Sequence, residues 1–115
     1  MRQDGKIDYV EFPATELPAT KQFYQTAFGW SFIDYGPSYA AIDPSAGLDG
    51  GFDAAKDATV TKPLVILYAT DLEAMEAKVR ASGGTITVPI FSFPGGRRFH
   101  FQDPSGNELA VWSET

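Results

Sequence analysis

Hydrophobic and polar positions alternate from Lys6 to Phe12, with Ile7, Val10 and Phe12 mostly opposed to Tyr9 and Glu11, and this period of two predicts a strand. The period then lengthens. Thr20, Phe23, Tyr24, Ala27 and Phe28 recur at helical spacing, Thr15 and Glu16 favour a start before them, Pro18 is tolerated in a first turn, and Gly29 stops the run. Phe23 and Tyr24 read as core residues of this helix. From Trp30 to Phe52, aromatic and β-branched stretches are cut by Gly36-Pro37, Pro44-Ser45 and Gly50-Gly51, the pattern of three short strands joined by turns.

The small, polar segment 54–62 reads as a linker, after which the pattern restarts. Pro63 to Ala69 is an apolar run of strand length. Thr70-x-x-Glu73 has the form of a capping box, and Leu72, Met75 and Val79 form the buried stripe of a second helix that Ser82-Gly83-Gly84 ends. Three more strands follow, Thr85 to Phe91, Arg97 to Gln102 and Glu108 to Ser113. Asp103-Pro104-Ser105-Gly106-Asn107 lies between the last two, where proline and glycine suit an architectural hairpin turn.

The two halves also share residues. Ala14-Thr15-Glu16-Leu17 returns as Ala69-Thr70-Asp71-Leu72, an offset of 55, and Gly29 and Gly84 follow at the same offset. The chain therefore reads as one α+β domain over residues 1–115, with a βαβββ module at 6–53 and another at 63–114. Two such units can enclose a pocket for a small molecule that neither closes alone.

If one face of each sheet is covered by its helix, polar residues on the other face become informative. In the first strand these are Tyr9 and Glu11. A five-residue turn at 103–107 pairs Gln102 with Glu108, His100 with Ala110 and Arg98 with Trp112 on the uncovered face. Phe99, Phe101, Leu109 and Val111 then take the helix side. His100, the only histidine of the chain, is the first candidate for acid–base work near neutral pH, and Glu11 is the second. Arg98 could fix a carboxylate or phosphate, or be a solvated charge at a strand edge. Trp112 and Trp30 could stack on a planar ligand or simply be buried.

Charge and composition narrow the partners. Nine Lys and Arg against fifteen Asp and Glu leave a net charge of −6, which disfavours nucleic acid and anionic lipid surfaces. Arg97-Arg98 is too small a basic spot to reverse that. The chain has no cysteine, which removes thiolate metal sites and Cys nucleophiles and is compatible with a reducing compartment. Residues 1–6 are polar, without the apolar segment of a secretion signal, and no apolar run has membrane-spanning length, so a cytoplasmic protein is expected. No phosphate loop, serine elbow or His-x-x-x-His is present, and Gly95-Gly96 reads as a turn.

The run from Glu16-Leu17 through Phe23-Tyr24 to Phe28-Gly29-Trp30, the run from Asp71-Leu72 to Gly83-Gly84, and Asp103-Pro104-Ser105-Gly106-Asn107 together resemble the vicinal oxygen chelate superfamily. That superfamily includes glyoxalase I, extradiol dioxygenases, fosfomycin-resistance enzymes and bleomycin-binding proteins. The resemblance implies a curved mixed sheet around a cavity, usually in a homodimer. It also implies, in metal-using members, a divalent ion held by His or Glu from the first strand of each module and a carboxylate from the last strand of each. Carried over, those places fall on Tyr9, on Leu64 or Val65, on Ala110, and on an ambiguous position in 50–53 where Asp53 is the only oxygen donor. Leucine, valine and alanine cannot donate. Arg98 and His100 fall where fosfomycin-resistance enzymes place substrate-contacting side chains.

The expectation is a glyoxalase/bleomycin-resistance-like protein that binds a small anionic or aromatic molecule without a cofactor, a divalent metal being disfavoured. Its ligand-binding residues are Tyr9, Glu11, Arg98, His100 and Trp112. One alternative is a lyase-, isomerase- or dioxygenase-type enzyme with His100 or Glu11 as acid or base, or with an unplaced weak metal site. Another is a protein-association module.

Overall fold

The computed structural model describes residues 2–55 and 61–115, so 56–60 of the expected linker lie outside the described residues. The fold is α+β with mixed sheet pairing. Its elements are β1 (Ile7–Pro13), α1 (Leu17–Phe28), β2 (Phe32–Asp34), β3 (Tyr39–Ile42), a single 3-10 turn (Pro44–Ala46), β4 (Gly50–Asp53), β5 (Leu64–Tyr68), α2 (Leu72–Ala81), β6 (Thr85–Phe93), β7 (Gly96–Gln102) and β8 (Glu108–Ser113). The order strand, helix, three strands thus occurs twice. No helix among the described residues is long and apolar enough to cross a membrane.

The chain divides into two compact units, Tyr9–Leu64 and a second made of the residues up to Asp8 together with Val65–Thr115. In the first unit the strands run β2-β3-β4-β1, and β1 pairs with β4 in parallel through Val10↔Gly50, Glu11↔Gly51, Phe12↔Phe52 and Pro13↔Asp53. Its core is Leu17, Ala40, Ile42 and Phe52, with Phe12, Tyr24, Trp30 and Phe32 packed against it. The helical stripe expected for α1 is only partly buried: Tyr24 packs inward, but Phe23 is 58% exposed and Phe28 also faces out. The reason is geometric. Phe23 precedes Tyr24 by about 100° of helix rotation, and the core-facing arc is filled by Leu17 and Tyr24.

In the second unit the order is β6-β7-β8-β5, with β5 parallel to β8 and β7 antiparallel to both β6 and β8. The hairpin register is the one its turn length predicts, with Arg98 opposite Trp112, His100 opposite Ala110 and Gln102 opposite Glu108. Asp103 builds the turn. Its carboxylate accepts from the Ser105 N–H (2.8 Å), the Asn107 N–H (3.0 Å) and the Asn107 amide (3.0 Å), while Gly106 takes a φ of +88°. Phe99 and Val111 are buried against Ala69 and Leu72, with Met75, Val79 and Phe101 packed on them.

The capping box expected at Thr70-x-x-Glu73 is displaced by one residue. Asp71 is the N-cap and accepts from the Ala74 N–H at 3.0 Å. Thr70 is instead drawn to the N-terminal segment, donating its N–H (2.8 Å) and hydroxyl (3.0 Å) to the Asp4 carboxylate. Glu73 accepts a bidentate pair of bonds from Arg97. The carboxylate nearest the first free amides takes the cap, and residues distant in sequence claim its neighbours.

Candidate functional site

Arg98 and His100 are positioned by the pleat of β7, an interior strand, which places them on the face opposite Phe99 and Phe101. This excludes the strand-edge reading of Arg98. Across the sheet, Arg98 is flanked by Phe91 on β6 and Trp112 on β8, and its guanidinium lies 5.5 Å from the Phe91 ring and 5.6 Å from the Phe93 ring. Such aromatic walls hold a cation in orientation while leaving its hydrogen-bonding edge in the plane.

His100 is 1% exposed, between Val88 and the small Ala110, with the Phe91 ring centroid 5.8 Å away. Its Nδ1 faces the Glu108 carboxylate at 3.5 Å, and that carboxylate also accepts from Thr87 Oγ1 at 2.9 Å. Burial and, after it, the charge of Arg98 push the imidazole below its ordinary value, against the weaker opposite pull of Glu108. The ring is therefore neutral at pH 7. With Nδ1 facing a carboxylate, the single proton is retained there and Nε2 is left as an acceptor. That Nε2 is buried without a hydrogen-bond partner among the described residues.

A pH dependence follows from the direction of this shift. The unfolded chain takes up a proton on the imidazole near pH 6.5, and the folded chain resists it until lower pH. Stability is therefore full above about pH 6.5 and declines as the pH falls from there through the folded-state value. Urea midpoints measured from pH 8 to pH 5 are expected to show this loss, and His100→Asn to flatten it. Parallel profiles for the two proteins would contradict the assignment.

Trp112 occupies the same face as Arg98, but its ring is already engaged. Its indole N–H donates to Asp8 at 2.9 Å, the Arg2 guanidinium lies 4.9 Å over the ring, and Tyr68 packs edge-on at 5.5 Å. Trp30 is stacked on Tyr24 at 4.6 Å, so both tryptophans are used by the protein itself.

In the first unit, Tyr9 and Glu11 share the face opposite Val10 and Phe12. Glu11 is buried, at 6% exposed. The Tyr9 hydroxyl is hydrogen-bonded at 2.5 Å to the hydroxyl of Tyr39, a residue of β3 for which the sequence offers no signal beyond membership of a short strand. A hollow of about 140 Å³ also opens in this unit, lined by Val10, Phe12, Trp30, Ile42 and Leu48 with Asp49. Val10 and Phe12 put it on the helix side, and it is smaller than a typical ligand pocket of roughly 300 Å³ or more.

The strand registers resolve the two ambiguous metal positions. Glu11 pairs with Gly51, and Ile66, 55 residues further on, pairs with Ala110 (11 + 55 = 66), so Gly51 corresponds to Ala110. By the same offset Tyr9 corresponds to Leu64. The four places therefore hold a phenol, a glycine, a leucine and an alanine, which do not fit a divalent chelate. Asp53 lies on the same face as Gly51, but its Oδ1 accepts the Ala55 N–H at 2.9 Å. No group of three or more His, Cys, Asp and Glu able to hold a metal occurs among the described residues.

Comparison with known proteins sets this face pattern in a family. "Putative glyoxylase CFP32" of Mycobacterium bovis, and the protein of the same name from Mycobacterium tuberculosis, are each 28% identical to the chain over 120 residues, covering 96% of it. The chain spans 46% of the length of these relatives. Among solved structures, methylmalonyl-CoA epimerase from Mycobacterium tuberculosis superposes with a TM-score of 0.73 at 12% identity, covering all of this chain and 91% of the other. A Legionella pneumophila structure described as an NAD-dependent benzaldehyde dehydrogenase gives 0.77 at 16% identity, covering 93% and 98%. The Mn(II)-bound glyoxalase from Novosphingobium aromaticivorans gives 0.65 at 20% identity, covering 99% and 40%. At these identities the structures share the fold, and their differing names do not transfer a reaction. The family model of the Glyoxalase/Bleomycin resistance protein/Dioxygenase superfamily matches residues 6–111, nearly the whole of both modules, and the chain belongs to that superfamily.

Proposed function

We propose that this chain binds a small anionic or aromatic molecule without a chelated divalent metal, through Arg98, His100 and Trp112 of the second unit; Tyr9 and Glu11 are the ligand-binding candidates of the first unit. The observation that carries the reading is the buried Nε2 of His100, an acceptor without a hydrogen-bond partner among the described residues, two residues from Arg98 on the same strand face. Leaving such a group unsatisfied costs about 1–3 kcal/mol, and a ligand hydroxyl or N–H would remove that cost. Arg98 beside it suits a carboxylate or phosphate on the same molecule. Its aromatic neighbours suit a planar group. Because Tyr68, Asp8 and Arg2 already engage Trp112, that residue would act as a wall rather than as a free stacking platform. The protein is read as a cytoplasmic homodimer.

A thermal-shift screen against carboxylate- and phosphate-bearing metabolites tests the reading. A ligand at one hundred times its Kd is expected to stabilise by about 2.7 kcal/mol, with the gain reduced in both Arg98→Ala and His100→Ala. No stabilisation by any compound, or unchanged affinity in both variants, would sink it. Metal analysis of the purified protein adds an independent arm, since stoichiometric Fe, Ni, Zn or Mn would overturn the metal-free part.

A second reading is favoured by one specific feature, the orientation of the His100 ring by Glu108. A neutral imidazole with its Nδ1 on a carboxylate and its Nε2 facing away is arranged as a general base. On that reading turnover of a bound compound falls with protonation of His100, and a pH–rate profile flat from pH 5 to 8 would dismiss it.

A further inference from the structure

The first unit carries a polar feature on its uncovered face of which the reading above uses only Tyr9. Tyr9 and Tyr39 approach from strands on either side of β4, and their hydroxyls meet above Gly51. The glycine is what allows this. A Cβ at position 51 would lie 2.3 Å from Tyr39 Oη and 2.6 Å from Tyr9 Oη, so even an alanine would occupy the space the two hydroxyls fill. Gly51 does not need its conformational freedom here; it has no positive φ. It is needed for close approach.

The two residues concerned, Tyr9 and Gly51, stand at the first-strand and last-strand positions to which the family resemblance assigns metal ligands. We propose that the Tyr9–Tyr39 hydroxyl pair is a hydrogen-bond donor site that binds the oxygen of a neutral carbonyl group, in the place where a metal-using relative would hold its ion. The inference rests on the reading that this chain binds a small molecule, and adds the chemistry of a group that molecule would carry.

Proton counting supports the donor role. The pair has two hydroxyl protons, and one is used in the mutual bond. The other remains to be donated elsewhere, from a hydroxyl whose donor strength is raised by the bond it accepts. Burial raises both phenols above their ordinary value, so neither ionises near neutral pH and that proton is always present.

The surroundings select the acceptor. Glu11 and Asp49 raise the Tyr9 phenol through their charges, and Glu11 and Asp53 raise that of Tyr39. Three carboxylates around one donor pair disfavour an anionic oxygen and leave a ketone, ester or amide oxygen as the matching partner. This differs from the chemistry at Arg98, so the two faces can be probed separately.

The test uses the full chain with 13Cζ-labelled tyrosine and two probes of the same shape, acetophenone and benzoate. Acetophenone is expected to shift two Tyr Cζ resonances, assigned by their disappearance in Tyr9→Phe and Tyr39→Phe, and to bind at least about fivefold more weakly to each variant. Benzoate is expected to leave these two resonances unmoved. Tyr→Phe removes only a hydroxyl, so both variants should fold; Gly51→Ala, confirmed as folded by its amide spectrum, should weaken acetophenone as well by displacing the pair. Unchanged acetophenone affinity in both Phe variants, the absence of any Tyr Cζ shift, or a larger Tyr9 and Tyr39 response to benzoate would each overturn the proposal. Benzoate binding that is lost in Arg98→Ala, together with acetophenone that moves neither phenol, would overturn it and leave the anion-binding reading standing.

Discussion

Phe99→Ala is expected to lower the stability of the second unit by about 3–5 kcal/mol, the range for removing a fully buried aromatic ring. Phe99 is 0% exposed and is the largest of the fully buried side chains among the described residues. It packs with Ala69, Leu72 and Val111, and its ring lies 6.3 Å from that of Phe101. The space left by the ring is bounded by the β7–β8 pairing on one side and α2 on the other, both tied by backbone hydrogen bonds, so little of it can collapse. With a urea m-value of about 1–2 kcal/mol per molar, the midpoint should fall by at least about 1.5 M. Ile7→Thr, at a position 65% exposed, serves as the control and is expected to change stability by no more than about 0.5 kcal/mol. A Phe99→Ala loss under about 1 kcal/mol would mean that the sheet and α2 do not share the packed core described above.

Gly96→Ala is expected to be costly for a different reason. A Cβ at this position would stand 2.0 Å from the Ser113 carbonyl oxygen and 3.1 Å from its carbon, both backbone atoms. No rotamer change can relieve that contact, so the ends of β7 and β8 must separate. The next residue, Arg97, is paired with Ser113, donates from its Nε to the Thr115 carbonyl at 2.9 Å, and grips Glu73 at the start of α2. Separation at Gly96 therefore loosens three attachments at once. The expected loss is about 2–3 kcal/mol, toward the upper part of the range for overpacking. Amide exchange should be faster at Arg97 and Ser113 than at Phe101 and Leu109, at the other end of the same hairpin. Uniform exchange along the hairpin, or a loss below about 0.5 kcal/mol, would show that the clash is absorbed without opening the strands.

Much of the fold is legible along the chain because it is set by local rules. The period of two in 6–12 and 97–102 puts alternate side chains on opposite faces whatever lies above them. A five-residue turn leaves one register for the last hairpin, so the pairing of Arg98 with Trp112 and His100 with Ala110 follows from counting. The burial of Phe99 and Val111 on one side and the placement of Arg98 and His100 on the other are consequences of that count.

The misreadings have a common cause. Thr70 and Glu73 carry the form of a capping box, but Asp4 and Arg97, far away in sequence, offer charged partners that outcompete the local bonds. Gly96 looks like a turn residue beside Gly95, although it is the first residue of β7 and is required by contact with Ser113. Phe23 fits a helical stripe, but a short helix covers its sheet with a narrow arc and leaves that ring outside.

The candidate site divides along the same line. By itself the sequence determined the element order, the strand faces, the family, and the loss of side-chain donors at 110 and at either 64 or 65. Each of these depends on residue type and spacing within one segment. Only the tertiary structure decided that Glu108 orients the His100 ring, that Phe91 and Phe93 wall Arg98, and that Tyr39 reaches across β4 to meet Tyr9 above Gly51. Those contacts join residues on different strands, and the strand neighbours that create them are chosen by the packing of the sheet, which no local pattern encodes.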